Sequence, residues 1–166
     1  MSNESTLVLI KPDGVNRALI GKVIEKLEST GLKITGMKLI LIDKDLASKH
    51  YEEHKDKPFF SSLVNFITSS PVVALALNGE NAIQKTRTMM GSTNPLESSP
   101  GTIRGDFGLS LEKNVIHGSA NENDALREIK LYFSEEEIIN YDRSVDNWVS
   151  WLMNSYYFLS RTPKGF

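Results

Sequence analysis

The chain contains no cysteine among its 166 residues. Disulfides and thiolate metal sites are thereby excluded, and a reducing compartment is the natural expectation. It also lacks any apolar run long enough to span a membrane. The opening residues, Met1 to Thr6, are polar and carry no export pattern, so a cytoplasmic protein without membrane attachment is expected. Charge of either sign is not in excess: Lys+Arg number 19 and Asp+Glu 21, for a net −2. That balance argues against nucleic-acid binding as the main role, which would need a basic stripe. The Walker A loop is missing, because Gly14 to Gly21-Lys22 has too many intervening residues and Val23 stands where Ser or Thr should be. The protein-kinase set is not there either: His-Arg-Asp is missing, and Asp106-Phe107-Gly108 stands alone without a Gly-rich loop or a catalytic loop before it.

What remains is an ordinary globular composition, with 40% hydrophobic and 24% charged residues. A chain of this length buries ~70% of its unfolded surface, so one core needs no staple. Thr6 to Ile10 reads as a strand that stops at the turn Lys11-Pro12-Asp13-Gly14. Leu19, Ile20, Val23, Ile24 and Leu27 repeat at helical spacing, and Gly31 ends that helix. Leu32 to Ile42 alternates as a strand whose phase changes at Gly36, as a bulge would produce. A polar helix follows from Asp43 through Tyr51, then an apolar stripe of Phe59, Phe60, Leu63, Val64 and Ile67. Pro71 to Leu77 is a third strand, and a helix after it ends near Met90-Gly91. Ser92 to Leu109 reads as a long loop rich in Gly, Pro, Ser and Thr, of the kind that is usually functional or disordered. Asn114 to His117 is a short fourth strand, and Asn121 caps a last helix with Ala125, Ile129, Tyr132 and Phe133 on its apolar face. The order implies an α+β domain, a four-stranded sheet with helices packed on it.

His117 is one of only three histidines, with small neighbours in Asn114-Val115-Ile116-His117-Gly118-Ser119 and a carboxylate eleven residues on at Glu128. Such a histidine can be an exposed, oriented nucleophile. Three charges stand at apolar positions: Glu128 between Ala125 and Tyr132, Arg87 between Ile83 and Met90, and Lys11 in phase with Leu7 and Leu9. Read alone, each serves equally well in a structural ion pair or as a long stem reaching water. With Arg104 they supply three cations and one carboxylate around one histidine, a set suited to phosphoryl chemistry. His50 and His54 lie four residues apart, a metal-binding spacing with no third ligand suggested nearby, and read as surface or helix-packing residues.

Six segments, in order, resemble the nucleoside diphosphate kinase family: Lys11-Pro12-Asp13-Gly14; Tyr51 with Lys57-Pro58-Phe59-Phe60; Arg87; Met90-Gly91-Ser92-Thr93-Asn94-Pro95; Gly101-Thr102-Ile103-Arg104-Gly105-Asp106-Phe107; and Asn114 to Ser119. The resemblance runs from about Thr6 to Trp148. It implies a ferredoxin-like four-stranded antiparallel sheet and ping-pong transfer of a γ-phosphoryl from a nucleoside triphosphate to a diphosphate. His117 is then the nucleophile through Nδ1, oriented by Ser119 and Glu128. Arg87, Arg104 and Thr93, with Tyr51, match phosphate-side positions, Lys11 and Asn114 those at the ribose hydroxyls, and Phe59 and Leu111 the two faces of the base. The resemblance further implies ATP, GDP and other nucleotides as substrates with little base discrimination, and Mg²⁺ carried on their phosphates rather than in a protein cage. It also implies a homo-oligomer, a hexamer rather than a tetramer; the alternative is a weakly active or inactive relative acting as a binding or scaffold oligomer.

Two departures stand out. Ala120 occupies the place of the family's Asp after His-Gly-Ser, which removes a carboxylate near the phosphates and favours reduced activity. Ala18 replaces the usual Gly after Arg17, where a mild effect is expected. Residues 1–151 form the expected kinase domain, with Glu137 to Trp148 resembling the longer extension of hexameric members. Residues 152–166, including Tyr156, Tyr157 and Phe158, have no counterpart in that comparison and no assigned role.

Overall fold

The computed structural model describes residues 3–149, so the aromatic tail after 152 lies outside the described residues. Four strands make one antiparallel sheet in the order β2-β3-β1-β4: β1 Asn3–Ile10, β2 Lys33–Ile40, β3 Val72–Glu80 and β4 Ile116–Gly118. Its partners run Leu7 against Ala76 on one side of β1 and Leu9 against His117 on the other. Central β1 is buried on both faces, with Leu7, Val8, Leu9 and Ile10 all fully enclosed, which is why its sequence is a continuous apolar run. The register of β2 on β3 slips between Ile34 and Gly36, so the phase change in the sequence is a bulge.

Helices cover the two faces: α1 Pro12–Asn16, α2 Ile20–Glu28, α3 Lys44–His50, α4 Phe60–Ile67, α5 Ala82–Met90, α6 Ile103–Phe107, α7 Glu122–Tyr132 and α8 Asp146–Val149. One core gathers Val8 and Ile10 with Val23, Leu27, Leu75 and Ile103; the other gathers Leu7 and Leu9 with Ile67, Ala74, Tyr132 and Phe133. Caps set the helix starts. The Asp43 side chain accepts from Leu46 N at 2.8 Å, Thr102 from Gly105 N at 3.1 Å and Asn121 from Asp124 N at 2.9 Å.

Two expectations need correction. The turn after β1 is the short helix α1, with Pro12 at its start, where a missing N–H costs nothing. The stretch Ser92 to Leu109 is not irregular throughout, because Pro95–Glu97 makes a 3₁₀ turn and α6 forms behind its Thr102 cap. Short capped turns carry no periodicity, so composition alone concealed them. No helix among the described residues is long and apolar enough to cross a membrane.

Candidate active site

Strand β4 is only three residues long, yet it fixes the site. His117, on this edge strand, pairs with Leu9 of the inner strand β1, and its side chain stays 27% exposed. Gly118 beside it leaves room for α5: a Cβ there would stand 2.6 Å from Met90 Sδ and 3.2 Å from Thr86 Cγ2, so the Met90 side chain would have to move. Val115, just before the strand, adopts φ 71°, a strained value for a β-branched residue. Hydrogen bonds hold it there: its N–H donates to Asp13 Oδ2 at 3.0 Å, and its carbonyl accepts from Lys11 N at 2.8 Å. The α1 turn thus clamps the approach to the reactive strand, a strain that nothing in the local sequence announces.

Behind His117 lies Glu128 of α7, its side chain 4% exposed. Its Oε1 stands 3.2 Å from His117 Nε2, and its Oε2 accepts from Ser119 Oγ at 2.6 Å. Ser119 is itself fixed, since its Oγ also accepts from Leu7 N at 3.2 Å. Burial would raise the Glu128 carboxyl, but the His117 ring and the Ser119 hydroxyl outweigh it and hold it at about 2. A carboxylate acceptor at Nε2 favours the ring proton there and leaves the lone pair of Nδ1 for the cleft. That is the arrangement of an oriented nitrogen nucleophile.

His50 is the residue that sequence reasoning passed over. It is neither a surface residue nor a plain packing one: it is 2% exposed and meets His117 edge to face, ring centroids 4.5 Å apart. Tyr51 and Tyr132 close around it at 4.6 and 5.5 Å. Neither ring nitrogen has a hydrogen-bond partner. Burial, reinforced by the neighbouring His117, lowers it to about 3, so the ring is neutral. The only sequence signal was its place on a helix whose next residue, Tyr51, was already a site candidate.

In front of His117 opens a cleft of about 670 Å³ that collects every remaining candidate: Lys11, Tyr51, Phe59, Arg87, Thr93, Arg104, Leu111 and Asn114. Lys11 is buried and donates to Asn114 Oδ1 at 2.8 Å and to the Glu112 carbonyl at 2.6 Å. Burial lowers it to about 8 despite nearby Asp13, with Arg104 adding to the fall. Asn114 in turn donates to the Thr93 and Leu111 carbonyls at 3.1 and 2.9 Å, which ties the loops on both sides of the cleft. Arg104 is buried under the site, donating to Ile116 O at 2.9 Å and Gly91 O at 3.2 Å, while its Nε has no partner. Its enclosure, with Arg87 close by, lowers it to about 10. Tyr51 is buried, which raises its phenol and keeps the hydroxyl a donor.

Arg87 departs from expectation. The buried positions of α5 are Ala82, Ile83, Thr86 and Met90, and Arg87 is exposed at the cleft rim. The apolar stripe is narrower than the spacing suggested, so the guanidinium is presented to solvent rather than to the core. At the outer end of the cleft Phe59 and Leu111 leave 51% and 63% of their surface exposed, an apolar pair facing water. Ala120 is exposed at the rim beside Asp124, so the missing family carboxylate would have stood in this cleft. Ala18 sits at φ 55°, a backbone that suits glycine, which explains the family's preference there.

A histidine nucleophile, buried cations and an apolar slot together fit a substrate with a flat ring at one end and a polyanion at the other. Known proteins agree. The family model described as nucleoside diphosphate kinase matches residues 4–138. The nucleoside diphosphate kinase of Archaeoglobus fulgidus is 53% identical over 146 residues, covering 88% of this chain and 97% of that protein. Among solved structures, a halophilic nucleoside diphosphate kinase from Halobacterium salinarum in complex with CDP superposes with a TM-score of 0.87 at 48% identity, covering 90% of this chain and 99% of that one. A transition-state mimic of the Borrelia burgdorferi enzyme with bound vanadate and ADP gives 0.83 at 39% identity, covering 89% and 98%. The chain belongs to the nucleoside diphosphate kinase family.

Proposed function

We propose that this enzyme moves the γ-phosphoryl group of a nucleoside triphosphate to a nucleoside diphosphate through a phosphohistidine on His117. In the first half-reaction Nδ1 attacks the γ-phosphorus in line as the bond to the bridging oxygen breaks, and the nucleoside diphosphate leaves with that electron pair. In the second, a terminal phosphate oxygen of another diphosphate attacks the same phosphorus and the P–N bond breaks. The ring gains positive charge while phosphorylated. Glu128, at 3.2 Å from Nε2 and steadied by Ser119, is placed to offset it. Arg87, Arg104 and Thr93, with the Tyr51 hydroxyl, would hold the phosphates, Lys11 and Asn114 the ribose hydroxyls, and Phe59 and Leu111 the faces of the base. Stacking between two apolar groups tolerates any base, which supports a broad substrate range including ATP and GDP.

The divalent cation is assigned as Mg²⁺ borne by the substrate phosphates. Among the described residues, three possible ligands gather within 4.8 Å at His50, His117 and Glu128, a nitrogen-rich set that does not suit a hard cation. When bound, Mg²⁺ supplies charge neutralisation between the phosphate groups, and the arginines here would complete it. The observation that carries the reading is the bridge His117–Glu128–Ser119 opening on the cleft. It also disfavours the scaffold alternative, because the nucleophile and both orienting groups are in place.

Self-association is proposed on separate grounds. β2 is a sheet edge, and Met37 and Leu39 on it, with Leu41 just beyond, are 58%, 62% and 73% exposed. An apolar edge strand invites twofold pairing with a second copy; we take the assembly to be a hexamer rather than a tetramer, and its compartment to be the cytoplasm. Light scattering after gel filtration checks the first point. The chemistry is tested by incubation with γ-labelled ATP and Mg²⁺ followed by a GDP chase. An acid-labile phosphoprotein that disappears as labelled GTP forms is the expected result, lost in His117→Gln. Transfer that persists in that variant would show that another residue is the nucleophile.

A further inference from the structure

Three donors meet behind the reactive histidine: His50 Nδ1 lies 3.9 Å and His117 Nε2 3.2 Å from Glu128 Oε1. All three atoms fall within 4.8 Å of one another. Two imidazoles and one carboxylate form the three-protein-ligand donor set of a Zn²⁺ site. Tetrahedral coordination at ~2.0–2.1 Å places donors ~3.3 Å apart. The His117–Glu128 pair already has that spacing, whereas His50 must close by about 0.6 Å on Glu128 and by up to about 1.5 Å on His117 for a metal to be held by all three.

His50 supplies an independent sign. It is a 2% exposed imidazole whose two nitrogens have no hydrogen-bond partner, with Nδ1 on the Glu128 side. Buried polar groups ordinarily find partners, so an unpartnered buried ring beside a carboxylate points to a ligand for it. The ring is neutral, the form that coordinates metal. Opposing charge is modest: Arg127 Nη2 lies 3.8 Å from Glu128 Oε1, but that side chain is partly solvated and also donates to the Lys49 carbonyl at 3.2 Å. The Tyr51 and Tyr132 rings pack around His50, and Ser119 keeps its bond to the other carboxylate oxygen.

We propose that His50, His117 and Glu128 form an inhibitory site for a borderline transition-metal dication of the Zn²⁺ class. The consequence for catalysis follows from proton placement and rests on the reading of His117 as the nucleophile; binding itself does not. A metal that takes the Nε2 lone pair displaces the Nε2 proton to water, and a proton from water is taken up at Nδ1. The ring stays neutral, but the Nδ1 lone pair that attacks phosphorus is gone. Mg²⁺ does not compete, since it prefers oxygen donors and keeps its waters.

The test uses the full chain, freed of metal by chelator and without nucleotide. Co²⁺ titration followed by visible absorption, and Zn²⁺ titration by calorimetry, should each show one tight equivalent per chain. Anomalous diffraction at the zinc edge, from crystals soaked in Zn²⁺ alone, should place the ion between His50 and His117. Phosphoprotein formation from labelled ATP and Mg²⁺ should fall in step with Zn²⁺ occupancy and return on chelation. Loss of an outer-shell partner alone weakens metal sites by roughly 10–100-fold, so His50→Gln and Glu128→Gln should each weaken Zn²⁺ binding at least that much. Unchanged affinity in both variants, or an ion located elsewhere, overturns the proposal. Binding at the three residues without loss of labelling would instead count against His117 Nδ1 as the nucleophile and so overturn the inhibitory role.

Discussion

His50 should make this protein acid-sensitive in a defined range. Its ring is held at about 3 in the fold against 6.5 in the open chain, mainly because burial disfavours the cation. Protonation therefore favours the unfolded chain. The contribution to stability is complete above pH 6.5 and drains as pH falls toward 3. One pH unit of such linkage is worth about 1.4 kcal/mol, so about 2 kcal/mol should be lost between pH 7 and pH 5. That is a large share of a typical domain's ~5–15 kcal/mol. Glu128, held at about 2, adds its own loss only below the ordinary carboxylate value of 4.5, outside this window. Urea unfolding at fixed chain concentration, at pH 7, 6 and 5, measures the slope for the native sequence and for His50→Gln. The variant keeps His54 and His117, so the difference between slopes isolates His50. Equal slopes would refute the reasoning, whatever the variant's absolute stability.

Ser119→Ala removes a hydroxyl bonded to a buried carboxylate, worth ~1.5–3 kcal/mol, and should slow phosphoprotein formation about 10- to 100-fold; Glu128→Gln should cost at least as much in quenched-flow labelling. Because Lys11 titrates near 8, kcat/KM for the nucleoside triphosphate should fall as pH passes 8. Lys11→Gln should be weaker at pH 7 and show no further fall to pH 9. Ala18→Gly relieves a left-handed alanine at φ 55° and should stabilise the fold by about 1 kcal/mol in chemical denaturation. Ala120→Asp restores a carboxylate at the cleft rim and should lower the Mg²⁺ concentration needed for half-maximal labelling; an unchanged requirement would show that this position does not touch the metal.

Strand β1, helix α2, the bulge at Gly36 and the apolar face of α7 were legible because periodicity and burial are the same fact seen twice. The cap Asn121 and the helix start at Asp43 were legible because the chemistry is local. Helices α1 and α6 were not, since five residues hold too little periodicity to outweigh Pro and Gly. The solvent-facing aim of Arg87 was misread for a related reason: helical spacing gives a direction to within a stripe, and a cleft edge lies inside that margin.

By itself the sequence determined the family and the α+β class, because ordered motifs specify chemistry directly, and it named side chains that line one cleft without naming His50. Only the tertiary structure decided which nitrogen of His117 is free, since that depends on a carboxylate brought to 3.2 Å from another element. It likewise decided that Val115 must be strained and that His50 backs the nucleophile. Those are contacts between α1, α3, α7 and β4, set by how the helices pack on the sheet, and no local pattern records them.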